Sequence, residues 1–310
     1  MTAILRKARP FINRATRNTL ACACLVFTLA AGAPAAPAEL PPLHEPPTGH
    51  IYPGKFVWAD LFSADVDAAV DFYSKLFGWT ATAYGTNAHR YVVMANDGRP
   101  VAGVAARPRG AGEQGKARWI GYVSVLNADN AVSAATAAGG RLMVEPRNIA
   151  RRGTHAIVAD NQGALVGMLA SSSGDAEDFR ADVGDWIWAQ LLTDQPDKAV
   201  QFYQSVFGYT VMPDTRGKGG DAYLLVSQGY ARAGIRHLPA AAQAKPTWIG
   251  FVRVTDLAET LARAQSLGGR ILRAPALELF DGKLAIIADP LGGVVGLVAL
   301  KDRDFPGDTP

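Results

Sequence analysis

Laid against itself, the 310-residue chain repeats. Val57-Trp58-Ala59 is answered by Ile187-Trp188-Ala189, Phe72-Tyr73 by Phe202-Tyr203, and Leu76-Phe77-Gly78-Trp79 by Val206-Phe207-Gly208-Tyr209, each 130 positions on. Later, Trp119-Ile120-Gly121 is answered by Trp248-Ile249-Gly250, Gly139-Gly140-Arg141 by Gly268-Gly269-Arg270, and Ala156-Ile157-Val158-Ala159-Asp160 by Ala285-Ile286-Ile287-Ala288-Asp289, at 129, so one residue is lost in a middle loop. A period this long means two copies of one domain-sized module in series.

Each copy reads as two βαβββ units. Apolar and β-favouring residues fill 55–62 and 185–192, which predicts an opening strand. A helix follows: Val66, Val70, Tyr73 and Phe77 recur at helical spacing, Asp65 caps the start and Gly78 ends it. The second copy repeats the device with Pro196 in the first turn, a Val200, Tyr203, Phe207 stripe and Gly208. Asn96-Asp97-Gly98 predicts a hairpin between short strands. Residues 119–125 read as a strand, 128–138 as an alanine-rich helix closed by Gly139-Gly140, and 141–169 as short strands around an Asn161-Gln162-Gly163 turn.

Residues 1–38 stand outside this pattern. Arg6, Lys7, Arg9, Arg14 and Arg17 precede an apolar run from Leu20 to Ala31, the order of a secretory signal, and Ala36-Pro37-Ala38 is a small-x-small cleavage site. The run is shorter than the roughly 20 residues a bilayer span needs, so a cleaved leader is expected rather than a stable membrane anchor. The mature protein is then expected in the periplasm or outside the cell. Cys22 and Cys24 stand at the head of the apolar run, not after it, and leave with the leader; no disulfide, thiolate nucleophile or Cys metal site is expected. The leader takes five of the 31 basic residues and no acidic one, leaving 26 basic against 28 acidic. That balance offers no footprint for nucleic acid, and a small molecule is the expected partner.

Strand, helix ending in Phe-Tyr and Phe-Gly, three strands, then Gly-Gly-Arg and an Ala-Asp-x-x-Gly turn before a last strand: this order, twice over, resembles the vicinal oxygen chelate superfamily of glyoxalases, bleomycin-resistance proteins and extradiol dioxygenases. The likeness covers 53–172 and 182–301 and is nearest to the two-domain branch related to lactoylglutathione lyase. It implies an α+β fold in which four tandem βαβββ units form two domains, each an open, cup-shaped mixed sheet around a small ligand. The Pro-rich stretch 39–54 and residues 173–181 are expected as linkers, and 302–310 as a tail. The resemblance also implies where metal-dependent members place their ligands. Those positions fall on Trp58, Gly103, Ile120 and Gly167 in copy one and on Trp188, Gly234, Ile249 and Gly296 in copy two. None of these side chains is a donor for zinc, nickel or iron, so no cofactor is expected, with a divalent metal as the alternative.

Alternation along the strands says what replaces a metal, since side chains two apart share a face. With Trp58 in the cup, Phe56, Asp60 and Phe62 are expected beside it; in copy two the set is Trp186, Trp188, Gln190 and Leu192. The later strand adds Ile120, Tyr122 and Ser124, or Ile249, Phe251 and Arg253. Trp58, Phe62, Tyr122, Trp188, Gln190, Phe251 and Arg253 are therefore the candidate ligand-binding residues, and Asp60, a carboxylate on an apolar face, the candidate catalytic one. Arg253 either forks onto a ligand oxyanion or snorkels to a wet rim. His44, His50, His89, His155 and His237 lack metal-ligand spacing and read as isolated surface residues. Gly217-Lys218-Gly219-Gly220 reads as a hairpin loop.

Three readings follow. The first is an exported module that binds a small, partly aromatic molecule in one or both cups without metal. The second is a glyoxalase-like lyase or isomerase with Asp60 as general base and Gln190 or Arg253 stabilising an enolate. The third is a structural or partner-binding domain with filled cups. An open cavity between Trp58 and Tyr122 favours the first two, and a filled one the third.

Overall fold

The computed structural model describes residues 39–86, 90–107, 116–215, 222–238 and 244–301. Residues 1–38, where a leader is expected, His89, Gly217-Lys218-Gly219-Gly220 and 302–310 lie outside the described residues. The first repeat runs β1 (Phe56–Ser63), α1 (Val66–Phe77), β2 (Thr80–Tyr84), β3 (Tyr91–Asn96), β4 (Arg99–Ala106), β5 (Arg118–Ser124), α2 (Ala128–Ala137), β6 (Arg141–Ile149), β7 (Gly153–Ala159) and β8 (Leu165–Ser171). The second runs β9 (Trp186–Thr193), α3 (Pro196–Phe207), β10 (Thr210–Pro213), β11 (Ala222–Ser227), β12 (Tyr230–His237), β13 (Thr247–Val254), α4 (Leu257–Ser266), β14 (Arg270–Arg273), β15 (Leu284–Ala288) and β16 (Val294–Ala299). Each repeat forms its own eight-stranded mixed sheet, in the order β2-β3-β4-β1-β5-β8-β7-β6 and β10-β11-β12-β9-β13-β16-β15-β14. The four βαβββ units and two open sheets are those the sequence implied.

Local chemistry sets the element ends. The Asp65 carboxylate accepts from the Ala68 amide at 3.0 Å, and Gly78 closes α1 in the left-handed region at φ 78°. Asp97 and Gly98 both have positive φ, 47° and 78°, which suits a tight hairpin between β3 and β4. Gln228 and Gly229 repeat this turn at 48° and 79°. The two hairpins are therefore 131 positions apart, not 130: one residue is gained before them and two are lost after.

The helices do not face only their own sheets. α1 buries Ala69, Phe72, Tyr73 and Leu76, while Val66, Val70 and Phe77 sit at the edge of that face. The predicted stripe is displaced because α1 packs against α4 of the other repeat as well as its own sheet. Likewise α2 packs against α3. Each of the two main cores therefore draws on both repeats. The Phe-Tyr and Ala-Asp motifs meet across this seam. Tyr73 OH donates to Asp289 Oδ2 at 2.9 Å and accepts from Trp119 Nε1 at 2.8 Å. Tyr203 OH donates to Asp160 Oδ2 at 3.0 Å and accepts from Trp248 Nε1 at 2.7 Å. Burial raises both carboxyls against the lowering pull of these bonds and of the turn amides.

Two expectations about faces and linkers are corrected. A bulge between Phe56 and Trp58, matched by one between Trp186 and Trp188, breaks the alternation. Phe56 and Trp186 thereby leave the cup face for the seam, where Phe56 meets Trp248 at 5.1 Å between ring centres and Trp186 meets Trp119 at 5.2 Å. The segment 39–54 is not a free linker either: it is strapped across the first sheet. Leu43 is 4% exposed among cup residues, and the Thr48 and Gly54 amides donate to Ser173 O and Ser124 O. Asp175, in the 173–181 stretch, is fully buried; its Oδ2 accepts from the Tyr52 amide at 2.6 Å and Ser124 Oγ at 2.5 Å.

Candidate functional site

The central strands β4-β1-β5-β8 set the floor of the first cup. Asp60 lies opposite Gly103 and Ile120, Trp58 opposite Tyr122, and Tyr122 opposite Gly167. The four positions assigned to metal ligands thus converge, but they hold no donors and their space is taken. A Cβ on Gly103 would stand 1.8 Å from the Tyr91 hydroxyl and 2.3 Å from Asp60 Oδ1, and one on Gly167 would stand 2.2 Å from the Tyr122 ring. The second cup does the same with Gln190 over Gly234, at 2.5 Å, and Phe251 over Gly296, at 2.1 Å. A glutamate could not be seated at these strands without displacing the side chains over them. The residues present do not fit a divalent metal.

Inside the first cup is a buried polar cluster. Trp58 Nε1 donates to Asp60 Oδ1 at 2.8 Å and to Tyr91 OH at 3.0 Å, and Tyr91 OH donates to Asp60 Oδ1 at 2.5 Å. Arg152, only 1% exposed, lays its guanidinium over the Trp58 ring at 4.4 Å, donates from Nη1 to Tyr91 OH at 3.4 Å and from Nε to Pro41 O at 3.1 Å. The His155 ring stands edge-on to Tyr122 at 5.3 Å. Burial, and then the Asp60 carboxylate, push the Tyr91 and Tyr122 phenols well above the usual range, so both stay protonated. Burial pulls His155 down to about 4; Asp60 opposes this and Arg152 adds to it. Two polar atoms here, Arg152 Nη2 and His155 Nε2, are buried with no hydrogen-bond partner.

The second cup is built on the same strands with other chemistry. Gln190, Ala222, Phe251, Asp281 and Leu284 occupy the places of Asp60, Tyr91, Tyr122, Arg152 and His155. On its floor Trp188 Nε1 donates to Gln190 Oε1 at 3.2 Å, and Gln190 Nε2 donates to Leu191 O at 3.2 Å. No strap covers it among the described residues. Trp188, Leu224, Leu284 and Ile286 are only partly buried, where Trp58, Val93, His155 and Ile157 of the first cup are buried.

The sequence-predicted candidates fall out unevenly. Trp58, Asp60 and Tyr122 come together in the first cup with Phe62 at its edge, and Trp188, Gln190 and Phe251 in the second. Arg253 is 4% exposed and holds the carbonyls of Ala181 at 2.7 Å and Leu300 at 3.0 Å, so it staples chain segments. His155 is not a surface residue but a buried one. Residue-by-residue reading missed Tyr91, Arg152 and Leu43. Comparing the repeats for polar residues present in one copy alone would have picked out Tyr91, Arg152 and His155 together.

A concavity of about 950 Å³ opens between the repeats at the starts of β1 and β9, and its lining reaches Leu43 and Trp58 of the first cup and Trp188 and Ile249 of the second. Its aromatic walls are paired across the seam, and its mouth charges pair with one another: Lys55 and Arg232 on Asp178 at 2.9 and 2.6 Å, Arg99 on Asp185 at 2.5 Å. These pairings mark it as the seam between the repeats, continuous with Trp188 of the second cup.

Two eight-stranded cups of paired βαβββ units, joined through their helices, define a tandem glyoxalase-type architecture. The chain belongs to the Glyoxalase/Bleomycin resistance protein/Dioxygenase superfamily, whose profile matches residues 55–168 and 187–295. Among curated proteins it is 30% identical over 246 residues, covering 78% of this chain and 93% of the other, to "Putative glyoxylase CFP32" of Mycobacterium tuberculosis. It is 31% identical over 262 residues, covering 81% and 94%, to "Anthracycline biosynthesis protein DnrV" of Streptomyces peucetius. Among solved structures it resembles the Mn(II)-bound glyoxalase of Novosphingobium aromaticivorans, with TM-score 0.52, 16% identity and 80% and 82% of the chains covered. It also resembles homoprotocatechuate 2,3-dioxygenase of B. fuscum, with TM-score 0.56, 13% identity and 87% and 77% covered. At these identities the structural likeness speaks for the fold alone.

Proposed function

We propose that the protein binds a small, largely apolar aromatic molecule in the second cup, without a metal. The observation that carries this is the partly exposed floor of Trp188, Leu224, Leu284 and Ile286, less covered than the matching residues of the first cup, with Trp188 and Gln190 as its polar pair. A flat ring stacked on Trp188 would cover that floor. Metal independence rests on the ligand positions, where Trp188, Gly234, Ile249 and Gly296 offer no donor and Gln190 and Phe251 occupy the room. The anthracycline pathway named in the Streptomyces relatives suggests a fused-ring aromatic as the first probe. The leader supports export, which suits binding in the cell envelope.

The lyase reading has less support. Asp60 is 5% exposed and already accepts from Trp58 and Tyr91, so it reaches a substrate only if the first cup opens.

Calorimetric titration with an anthracycline aglycone tests the proposal. Binding is expected, and Trp188→Ala should weaken it by about 2 kcal/mol, roughly thirtyfold, through lost stacked area. No binding, or binding indifferent to Trp188→Ala, overturns the assignment. Elemental analysis of dialysed protein should find well under one zinc, nickel, manganese or iron per chain; one tightly held ion would restore metal chemistry.

A further inference from the structure

The first cup is closed, yet it is not inert packing. Its apolar wall of Leu43, Val93, Ile120, Ile157 and Leu169 encloses two unpartnered nitrogens, Arg152 Nη2 and His155 Nε2. A buried donor without a partner costs on the order of 1–3 kcal/mol, more for a charged group, so two in one cup mark a place where an oxygen belongs. The neighbouring groups say what kind of oxygen. Arg152 carries one positive charge; Asp60 lies one bridge away, with Tyr91 bonded to both. His155 is neutral, so the cluster is balanced, and a second anion would add an uncompensated charge in a buried site. A neutral acceptor adds none: it takes a hydrogen bond from Arg152 Nη2 and another from His155 Nε2 in its N–H tautomer.

We propose that the first cup is a second binding site, independent of the one above, for a neutral carbonyl compound no larger than a substituted phenyl ring, with its oxygen held between Arg152 and His155 and its ring in the place of Leu43. The strap is the gate. Its grip on the cluster is the Leu43 side chain and the bond from Arg152 Nε to Pro41 O. Lifting residues 41–44 clears the apolar room and frees a further guanidinium N–H in one movement. Among the described residues the second cup has no equivalent pair, because Asp281 and Leu284 stand where Arg152 and His155 do.

The test uses the whole mature chain labelled with ¹⁵N-histidine and three probes of one size: acetophenone, ethylbenzene and benzoate. Acetophenone should move the His155 Nε2 resonance saturably. Ethylbenzene, which lacks the oxygen, and benzoate, which brings a charge, should bind at least about tenfold more weakly, as expected when a buried polar group is left unpaired or a charge uncompensated. Read at the His155 resonance, Leu43→Ala, which loosens the gate, should tighten acetophenone binding, and Arg152→Gln should weaken it tenfold or more. An unmoved His155 signal in both the native chain and Leu43→Ala means the two nitrogens bridge a buried water only, and overturns the proposal. Equal binding of acetophenone and ethylbenzene overturns it as well. These probe comparisons need no variant, so a misfolded Arg152→Gln leaves the test standing.

Discussion

At the residue scale, the two equivalent tryptophans have unequal jobs. Trp58 is 6% exposed, hydrogen-bonded through its indole and capped by Arg152, whereas Trp188 is only partly buried and has no such cap among the described residues. Trp58→Ala should therefore cost about 3–5 kcal/mol of stability in chemical denaturation, and Trp188→Ala clearly less. The sequence marked both positions but could not separate them, because what covers Trp58 comes from residues 41–43, 91 and 152, far from it in the chain. His155 supports a prediction in pH. Its folded value, about 4, lies below the ordinary 6.5, so between those values the unfolded chain takes a proton that the folded one refuses. Stability should fall as pH drops from 6.5 towards 4, by up to about 3 kcal/mol, with Asp60, Arg152 and Tyr122 the ionisable groups facing the ring. His155→Leu should flatten that part of the pH–stability curve measured by urea unfolding; an unchanged slope would place the titration elsewhere.

At the scale of elements, the sequence was most informative where local chemistry decides. Asp65, Gly78, Pro196, Gly208 and the Asp97-Gly98 turn stand where propensity and capping put them. It was least informative where two surfaces compete for one element. α1 shifts its buried face because it serves a sheet and a helix of the other repeat, and the strand bulges at Phe56 and Trp186 defeat simple alternation. The strap was misread for a related reason: proline-rich composition says that a segment is not helix or sheet, not that it is unattached. Asp175 ties the strap to β5, so Asp175→Ala should release it. Limited proteolysis should then cut within residues 39–54 well before the rest of the chain, while the native protein resists there. Equal resistance in both would show that Leu43, the Thr48 and Gly54 amide bonds and the Arg152 bond to Pro41 O hold the strap without Asp175.

At the scale of the molecule, the seam decides cooperativity. Each main core mixes residues of both repeats, and the Tyr73–Asp289 and Tyr203–Asp160 bonds cross between them. Calorimetry should show one unfolding transition with equal calorimetric and van't Hoff enthalpies, and Asp160→Ala should lower its midpoint without splitting it. Two resolved transitions would mean that the repeats melt separately. The smaller apolar clusters behave differently: the one around Trp58 draws only on the first repeat and its strap, and the one around Phe251 only on the second. The unit that was duplicated and the unit that holds together are therefore not the same. Mutations on the shared seam disturb contacts of both repeats, while those in a cup change the contacts of that cup alone. A chain built this way can let its two concavities drift apart as two separate genes would, one gathering a charged, gated interior and the other an open greasy floor, without either change having to be tolerated by its twin.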